Sequence, residues 1–301
     1  MTSIVNGRRK GIVIKRKSYS IKVLSFFLFR ERSSVRNRFN SLLSPKDYKL
    51  QITPHLKRNI QALISAIAPK GTNLKLKRFG GSRDGSYVLP QKYVTKGTYL
   101  ISGGIENNNE FEVSLANLGV CGIQIDNSID QAPKTHKNLE FRKITISDSD
   151  SQTETTLSSL MKLRNNEGRL IVKLDIEGYE WKTLAALTKN EFASIDCLIL
   201  ELHNLSLISN SEQSKEIFKV LERIEAAGLR SIFCQANNGC LTYVLGGTLI
   251  PDNMEVTFIK VKATRRLRIK DLVLIKRLQS TNVSHHAPIN ILHFETHHLI
   301  S

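Results

Sequence analysis

Two carboxylates, Asp175 and Glu177, close the apolar run Leu170 to Leu174 in the string RLIVKLDIEGYEW (residues 169–181). Acids at this spacing can take a proton, accept hydrogen bonds from ligand hydroxyls or share a hard cation. The run reads as a short buried strand interrupted by Lys173. Gly178 then lets the chain turn, and Tyr179 to Leu187 has the apolar spacing of a helix. Acids at the carboxyl end of a parallel strand, before a glycine and a helix, lie where open α/β sheets place their ligands. A helix N-terminus favours Asp and Glu in any case, so the motif gains meaning only from its company.

That company is a series of strand ends. Tyr99 to Ser102 runs into Gly103, Gly104 and Glu106, where a glycine turn lets backbone approach a ligand. Val120 to Ile125 ends on Asp126, placed to accept both hydroxyls of a ribose. Leu139 to Ile146 ends at Asp148, within reach of an adenine amino group. Ile195 to Leu202 delivers Glu201 and His203 beside the Asp175 strand. Glu177 and His203 are the candidate general bases at the predicted cleft. Asp175, Glu177 and Glu201 could instead hold a divalent cation as hard oxygen ligands, the less favoured route. Asp84 and Tyr87, in a glycine-rich segment, could fold over a bound ligand, and Asn237 and Asn238, before Gly239, are further candidates to line a substrate.

The elements that must position these groups alternate. Helical spacing covers 55–68, with Leu56, Ile60, Leu63, Ile64 and Ile67 on one face, and recurs at 108–118, 156–163, 179–187 and 212–227. Strands fall between them, and 229–234, 241–245 and 255–261 complete the set. Such βαβα order predicts an α/β fold with a doubly wound, mostly parallel Rossmann-like sheet. The last strands follow too closely for crossover helices, so one late pair must be antiparallel.

The formal net charge of +17 is confined to the flanks. Residues 1–60 carry 15 Lys and Arg against two acids, residues 260–277 carry eight against one, and 61–259 are near neutral. The expected organisation is a basic arm (1–54), a catalytic body (55–262) and a basic, then His-rich, tail (263–301). Within the arm, Ile21 to Phe29 is far shorter than the roughly 20 apolar residues of a membrane span. Residues 8–38 could meet an anionic membrane surface, which gives a cytoplasmic location, peripheral at the inner membrane surface. His285, His286, His293, His297 and His298 read as a solvated tail, with no metal site there. Cys121, Cys197, Cys234 and Cys240 lack CxxC spacing and read as reduced residues in or near apolar strands.

VKLDIEGYEW (172–181) is similar to the KIDIEGAEW pattern of the FkbM family of class I S-adenosylmethionine-dependent methyltransferases. Support comes from LISGGIENNNEFEVSLANLG (100–119), GIQIDNSID (122–130), FGGSRDGSYVL (79–89) and QANNGCLTYVLGGTLIPDNMEVTF (235–258). The resemblance spans about residues 75–262, and departs at Ser102, where an acid is usual, and at Glu106, one residue past the usual glycine. It implies bound S-adenosyl-L-methionine, a class I methyltransferase sheet, and methyl transfer to a hydroxyl of a saccharide, glycoconjugate or similar polar small molecule. By position, Gly103, Gly104 and Glu106 would border the methionine part of the cofactor. Asp126 would take the ribose, Asp148 the adenine side, and Asp175 the space between cofactor and acceptor.

Two other readings compete. The basic flanks suggest an RNA-binding or RNA-modifying methyltransferase. The chain has no Asn/Asp-Pro-Pro-aromatic string and no Pro-Cys pair for base methylation, so nucleic acid is the weaker partner. A non-catalytic module retaining the fold is the third.

Overall fold

The computed structural model describes residues 53–164, 168–283, 286, 289, 291 and 294. The basic stretch 8–38 and four of the five tail histidines lie outside them.

Helix α1 (Pro54–Ile67) starts on Thr53, whose hydroxyl accepts from Leu56 N at 3.1 Å, with Pro54 in the first turn. The hairpin β1 (Leu76–Phe79) and β2 (Tyr87–Pro90) follows, then β3 (Tyr99–Gly103), α2 (Glu110–Ala116), β4 (Cys121–Ile125), β5 (Leu139–Arg142), β6 (Thr145–Ser147), β7 (Glu154–Thr156) and α3 (Leu157–Lys162). The second half runs β8 (Leu170–Leu174), α4 (Glu180–Ala186), α5 (Lys189–Ser194), β9 (Cys197–Leu202), α6 (Ser211–Ala226), β10 (Leu229–Ala236), β11 (Thr242–Leu245), β12 (Thr248–Pro251), β13 (Met254–Lys260) and α7 (Ile269–Leu278).

Seven strands form one mixed sheet in the order β5-β4-β3-β8-β9-β13-β10. Only β13 runs antiparallel to its neighbours β9 and β10; the remaining pairs are parallel. The order reverses between β3 and β8. Crossovers leave the sheet in opposite directions there, and the carboxyl ends of the two strands open a crevice.

Alternate residues of each strand feed two apolar layers. Leu170, Val172 and Leu174 of β8 join α1, α3, α4, α5 and α6 through residues such as Ile64, Leu160, Leu184, Phe192 and Val220. Ile171 points the other way, to Phe111 and Leu115 of α2 and to Phe79, Tyr87 and Leu89 of the hairpin. The sheet is therefore covered on both faces, as a doubly wound fold requires. On the second face the hairpin fills much of the space.

Several expectations change. The strand expected over 139–146 is two pieces: β5 joins the main sheet, and β6 pairs with β7 in a separate ribbon. The β1–β2 hairpin, strand β12 and the short helix α5 escaped the pattern because each is only four to six residues long. Cys121 is exposed, Cys240 is half-buried, and Cys197 and Cys234 are buried. Beyond residue 262, Leu267 and Ile275 pack against Val88 and Phe233, and Ile291 and Phe294 are buried in the first layer. The boundary expected at 262 thus falls within packed structure. Among the described residues, no helix is long and apolar enough to cross a membrane.

Candidate active site

A cleft of about 230 Å³ opens at the β3–β8 switch point. Asp84, Tyr87, Gly104, Glu106, Asp175, Glu177, Glu201, His203 and Asn237, all singled out from the sequence, line it. Gly103 lies just beneath, at the end of β3. Asp148 is on the surface, half-exposed and 3.6 Å from Lys182 Nζ, outside the cleft lining. Asn238 faces away: its amide donates to the Val283 and His286 carbonyls at 2.9 Å and accepts from Val283 N at 2.8 Å. It holds the tail to the body, and of the pair Asn237 lines the cleft.

The crevice depends on close approach of backbone. Gly104 has φ +74°, and a Cβ there would stand 1.7 Å from the Asp175 carbonyl oxygen. No other residue type lets β3 and β8 end so near each other. Asp126 pins the loop that follows. Its Oδ2 accepts from Ile105 N and Glu106 N, both at 2.8 Å, and its Oδ1 from Ser128 N at 2.7 Å and the Ser128 hydroxyl at 2.6 Å. Burial works against the charge, but these bonds outweigh it and lower the Asp126 pKa.

Asp175 is divided between two duties. Its Oδ2 accepts from the Tyr87 hydroxyl at 2.7 Å and lies 3.7 Å from Lys173 Nζ. Lys173 itself is buried and donates to the Gly103 carbonyl at 3.3 Å and to the Gly104 carbonyl. Beneath it, buried Glu112 accepts from the Ser102 hydroxyl at 2.6 Å. Burial raises the Glu112 pKa, and the nearby Lys173 charge opposes that rise. Ser102, with a neutral hydroxyl where the FkbM pattern has an acid, is thus paired with an acid supplied by α2.

His203 is fixed from behind. Its Nδ1 is 3.0 Å from Glu180 Oε1 and 3.0 Å from the Glu201 carbonyl. Glu180 is fully buried, and its carboxylate also accepts from Ile176 N at 2.7 Å and Gly178 N at 3.0 Å. Trp181 Nε1 donates to the His203 carbonyl at 2.9 Å. The last two letters of IEGYEW therefore hold His203, Glu180 through its imidazole 23 residues away and Trp181 through its carbonyl 22 residues away. On the cleft side, His203 Nε2 lies 3.6 Å from Glu177, 3.9 Å from Glu201 and 4.0 Å from Asp175. Burial opposes its charge, but Glu180 and the other carboxylates prevail and raise its pKa to about 9. At neutral pH this imidazole carries a proton and is not a free base. Glu177 is the more accessible group, its side chain 77 % exposed.

Deeper in, acids crowd. Glu201 and Glu255 face each other across β9 and β13. Burial, then the Asp175 and Glu255 charges, raise the Glu201 pKa well above the usual range. Burial pushes Glu255 up to about 7, against the pull of Arg78. Asn237 donates to Glu201 at 2.7 Å, and Asn282 spans Glu255 at 2.8 Å and Asp84 at 2.9 Å. Two acid-containing groups have their ligand atoms within 4.8 Å of one another: Asp175, Glu177 and His203, and Asp84, Glu201 and Glu255.

Among the described residues, only Glu106, Glu177 and Asn204 lack glycine's freedom yet have positive φ, at 41°, 55° and 59°. The first two line the cleft, and Asn204 follows His203. Each costs about 1 kcal/mol relative to ordinary backbone, and such strain concentrates where side chains must be aimed. Lys173, Glu112, Glu180, Glu255 and Asn282 were not singled out as site residues. Lys173 had a visible signal, a charge inside an apolar strand; Asn282 had none.

No family model matches the chain, and no curated protein sequence does. Among solved structures, one similarity is to "Structure of a putative methyltransferase from Thermoplasma acidophilum", at 12 % identity over 58 % of this chain and 72 % of that one. Its TM-score is 0.29, and at that score the likeness says nothing about activity. The resemblance to the FkbM pattern rests on the motifs quoted above.

Proposed function

We propose that the protein is an S-adenosylmethionine-dependent methyltransferase of the FkbM type that methylates a hydroxyl of a saccharide, glycoconjugate or similar polar small molecule. The observation that carries this reading is the acid-lined crevice at the strand-order reversal, opened by the contact of Gly104 with the Asp175 carbonyl. The quoted motifs converge on it. A sulfonium cation suits a cleft lined by Glu106, Asp175 and Glu177, and carboxylates are natural acceptors for acceptor hydroxyls.

The cofactor, when bound, supplies an activated methyl group. The chain's own part is alignment and proton handling. Gly103, Gly104 and Glu106 border the methionine side, and Asp126 orders that loop and presents its remaining acceptor capacity to the ribose. Asp148, placed on the surface, would reach the adenine only at the mouth of the site. Asp175 stands between cofactor and acceptor, oriented by Tyr87 and Lys173. Asp84 and Asn237 flank the acceptor, Glu177 receives its proton, and the His203 imidazolium stands beside it as a hydrogen-bond donor. In this reading nucleic acid is not the acceptor, and residues 8–38 serve as a contact to an anionic membrane surface on the cytoplasmic side.

Calorimetry with S-adenosylmethionine tests the cofactor. Saturable binding that weakens at least about tenfold in Asp126→Ala, the effect of losing a charge-assisted contact, is the expected result. No saturable binding by the full chain would overturn the reading. Liposome co-sedimentation of the full chain and a version lacking residues 1–54 tests the membrane contact: equal pelleting removes it.

A further inference from the structure

We propose that Asp175, Glu177 and His203 form a divalent-cation site, with Glu201 completing its inner wall and a transition ion such as Mn²⁺ as its occupant. The geometry is that of a ligand set lacking its centre. His203 is 5 % exposed, and its Nε2 is aimed into the cleft with no hydrogen-bond acceptor within 3.5 Å among the described residues. Three carboxylates surround that nitrogen at 3.6, 3.9 and 4.0 Å. These separations are long for hydrogen bonds. They suit ligand atoms that each stand about 2.1 Å from one ion and meet across it.

What lies behind the nitrogen argues the same way. A metal-ligating imidazole gives its other ring nitrogen to a carboxylate, which fixes the tautomer and the ring plane. Glu180 does this for His203 Nδ1 at 3.0 Å, while itself anchored by Ile176 N and Gly178 N. Asp175 keeps Oδ2 for Tyr87 and Lys173, which leaves Oδ1, the atom 4.0 Å from Nε2, for the ion. Glu177 holds its place at φ 55°, a strained backbone that an exposed side chain does not otherwise need. One nitrogen with two or three carboxylate oxygens selects an ion such as Mn²⁺ over Ca²⁺, which prefers an all-oxygen shell. The neighbouring group of Asp84, Glu201 and Glu255 offers no nitrogen and is already bridged by the Asn282 amide.

A cation here would displace the His203 Nε2 proton to solvent and acidify an acceptor hydroxyl, making Glu177 and His203 ligands. That role rests on the methyltransferase reading; the site itself does not.

The test is Mn²⁺ titration of the full chain followed by the loss of the free-ion electron paramagnetic resonance signal, with pulsed measurements on the bound ion. One saturable Mn²⁺ per chain is expected, with ¹⁴N coupling from the imidazole and little competition from equimolar Ca²⁺. Glu177→Gln, at an exposed side chain whose loss leaves the fold intact, should weaken binding at least about tenfold. His203→Gln should abolish the nitrogen coupling. Asp84→Asn should bind as the parent does. Absence of saturable Mn²⁺, bound Mn²⁺ without nitrogen coupling, or loss of binding in Asp84→Asn but not in Glu177→Gln would each overturn the site. None of these outcomes depends on S-adenosylmethionine, so failure here and failure of the methyl-transfer reading are separable.

Discussion

The two halves of the cleft treat their carboxylates in opposite ways. On the β3–β4 side, Asp126 receives four hydrogen bonds from within its own neighbourhood, and its pKa falls. On the β8–β9–β13 side, Asp175, Glu177, Glu201 and Glu255 crowd together, and burial drives Glu201 and Glu255 toward the protonated form. In the first half the acid is part of the scaffold that shapes the glycine loop. The second half sets these four carboxylates against three cations, Lys173, Arg78 and His203. Carboxylates whose environments push their pKa values apart in this way concentrate at functional sites.

The largest expected effect strikes the seam between the halves. Gly104→Ala places a methyl carbon 1.7 Å from the Asp175 carbonyl, at φ +74°. Urea denaturation should show a loss of about 4 kcal/mol or more, or no folded protein; a loss under about 1 kcal/mol would mean that β3 and β8 separate easily.

Lys173→Met comes next. It strips Asp175 and Glu112 of their buried cation, for a cost of about 3 kcal/mol. A neutral result would show that the crowded half tolerates its charge without help from the strand beneath.

Asp126→Asn sharpens the contrast directly. Replacing a charged acceptor of backbone N–H groups should cost about 2 kcal/mol. Glu201→Gln, at a group held near its neutral form, should be neutral or stabilising at pH 8 in the same assay. Equal losses in the two variants would erase the distinction between the halves.

Glu255 gives that distinction a pH signature. Its folded-state pKa of about 7 lies above the ordinary 4.5, so the folded protein binds more protons than the unfolded one between these values. Stability contributed by the neutral carboxyl is present below about 4.5 and is lost as pH rises through about 7. Thermal midpoints of the parent should therefore decline over this window more steeply than those of Glu255→Gln. Parallel profiles would count against the assignment.

The smallest effect should be a gain. Glu177→Gly relieves the backbone at φ 55° and should add about 1 kcal/mol of stability while impairing ligand binding. If stability falls instead, the Glu177 side chain supports the fold rather than the site.

Much of the cleft was legible because its signals are local. An apolar run that stops at Asp175, a glycine pair after Ser102 and an acid after Ile125 each mark a strand end within a few residues. Asn238 and Asp148 show the limit. Both stand where motif and strand end suggested a ligand, yet Asn238 turns to Val283 and Asp148 to Lys182. The direction of a side chain in a turn depends on the segment packed against it, which local pattern does not carry. The piece of strand ending at Ser147 likewise left the main sheet for a ribbon with β7, a choice between partners of similar composition.

The chain's pattern alone determined the alternation of strands and helices, the mostly parallel sheet and the strand ends that bear acids, because periodicity and turn chemistry act over a few residues. Tertiary structure decided which of those acids are satisfied. Glu255 meets Glu201 only through the antiparallel register of β13, and Asp84 meets Asn282 across 198 residues of chain. Glu180 reaches His203 only because α4 begins and β9 ends at the same edge of the sheet. Charge, hydrogen bonding and desolvation depend on distances of a few ångströms, and only the folded sheet sets those distances.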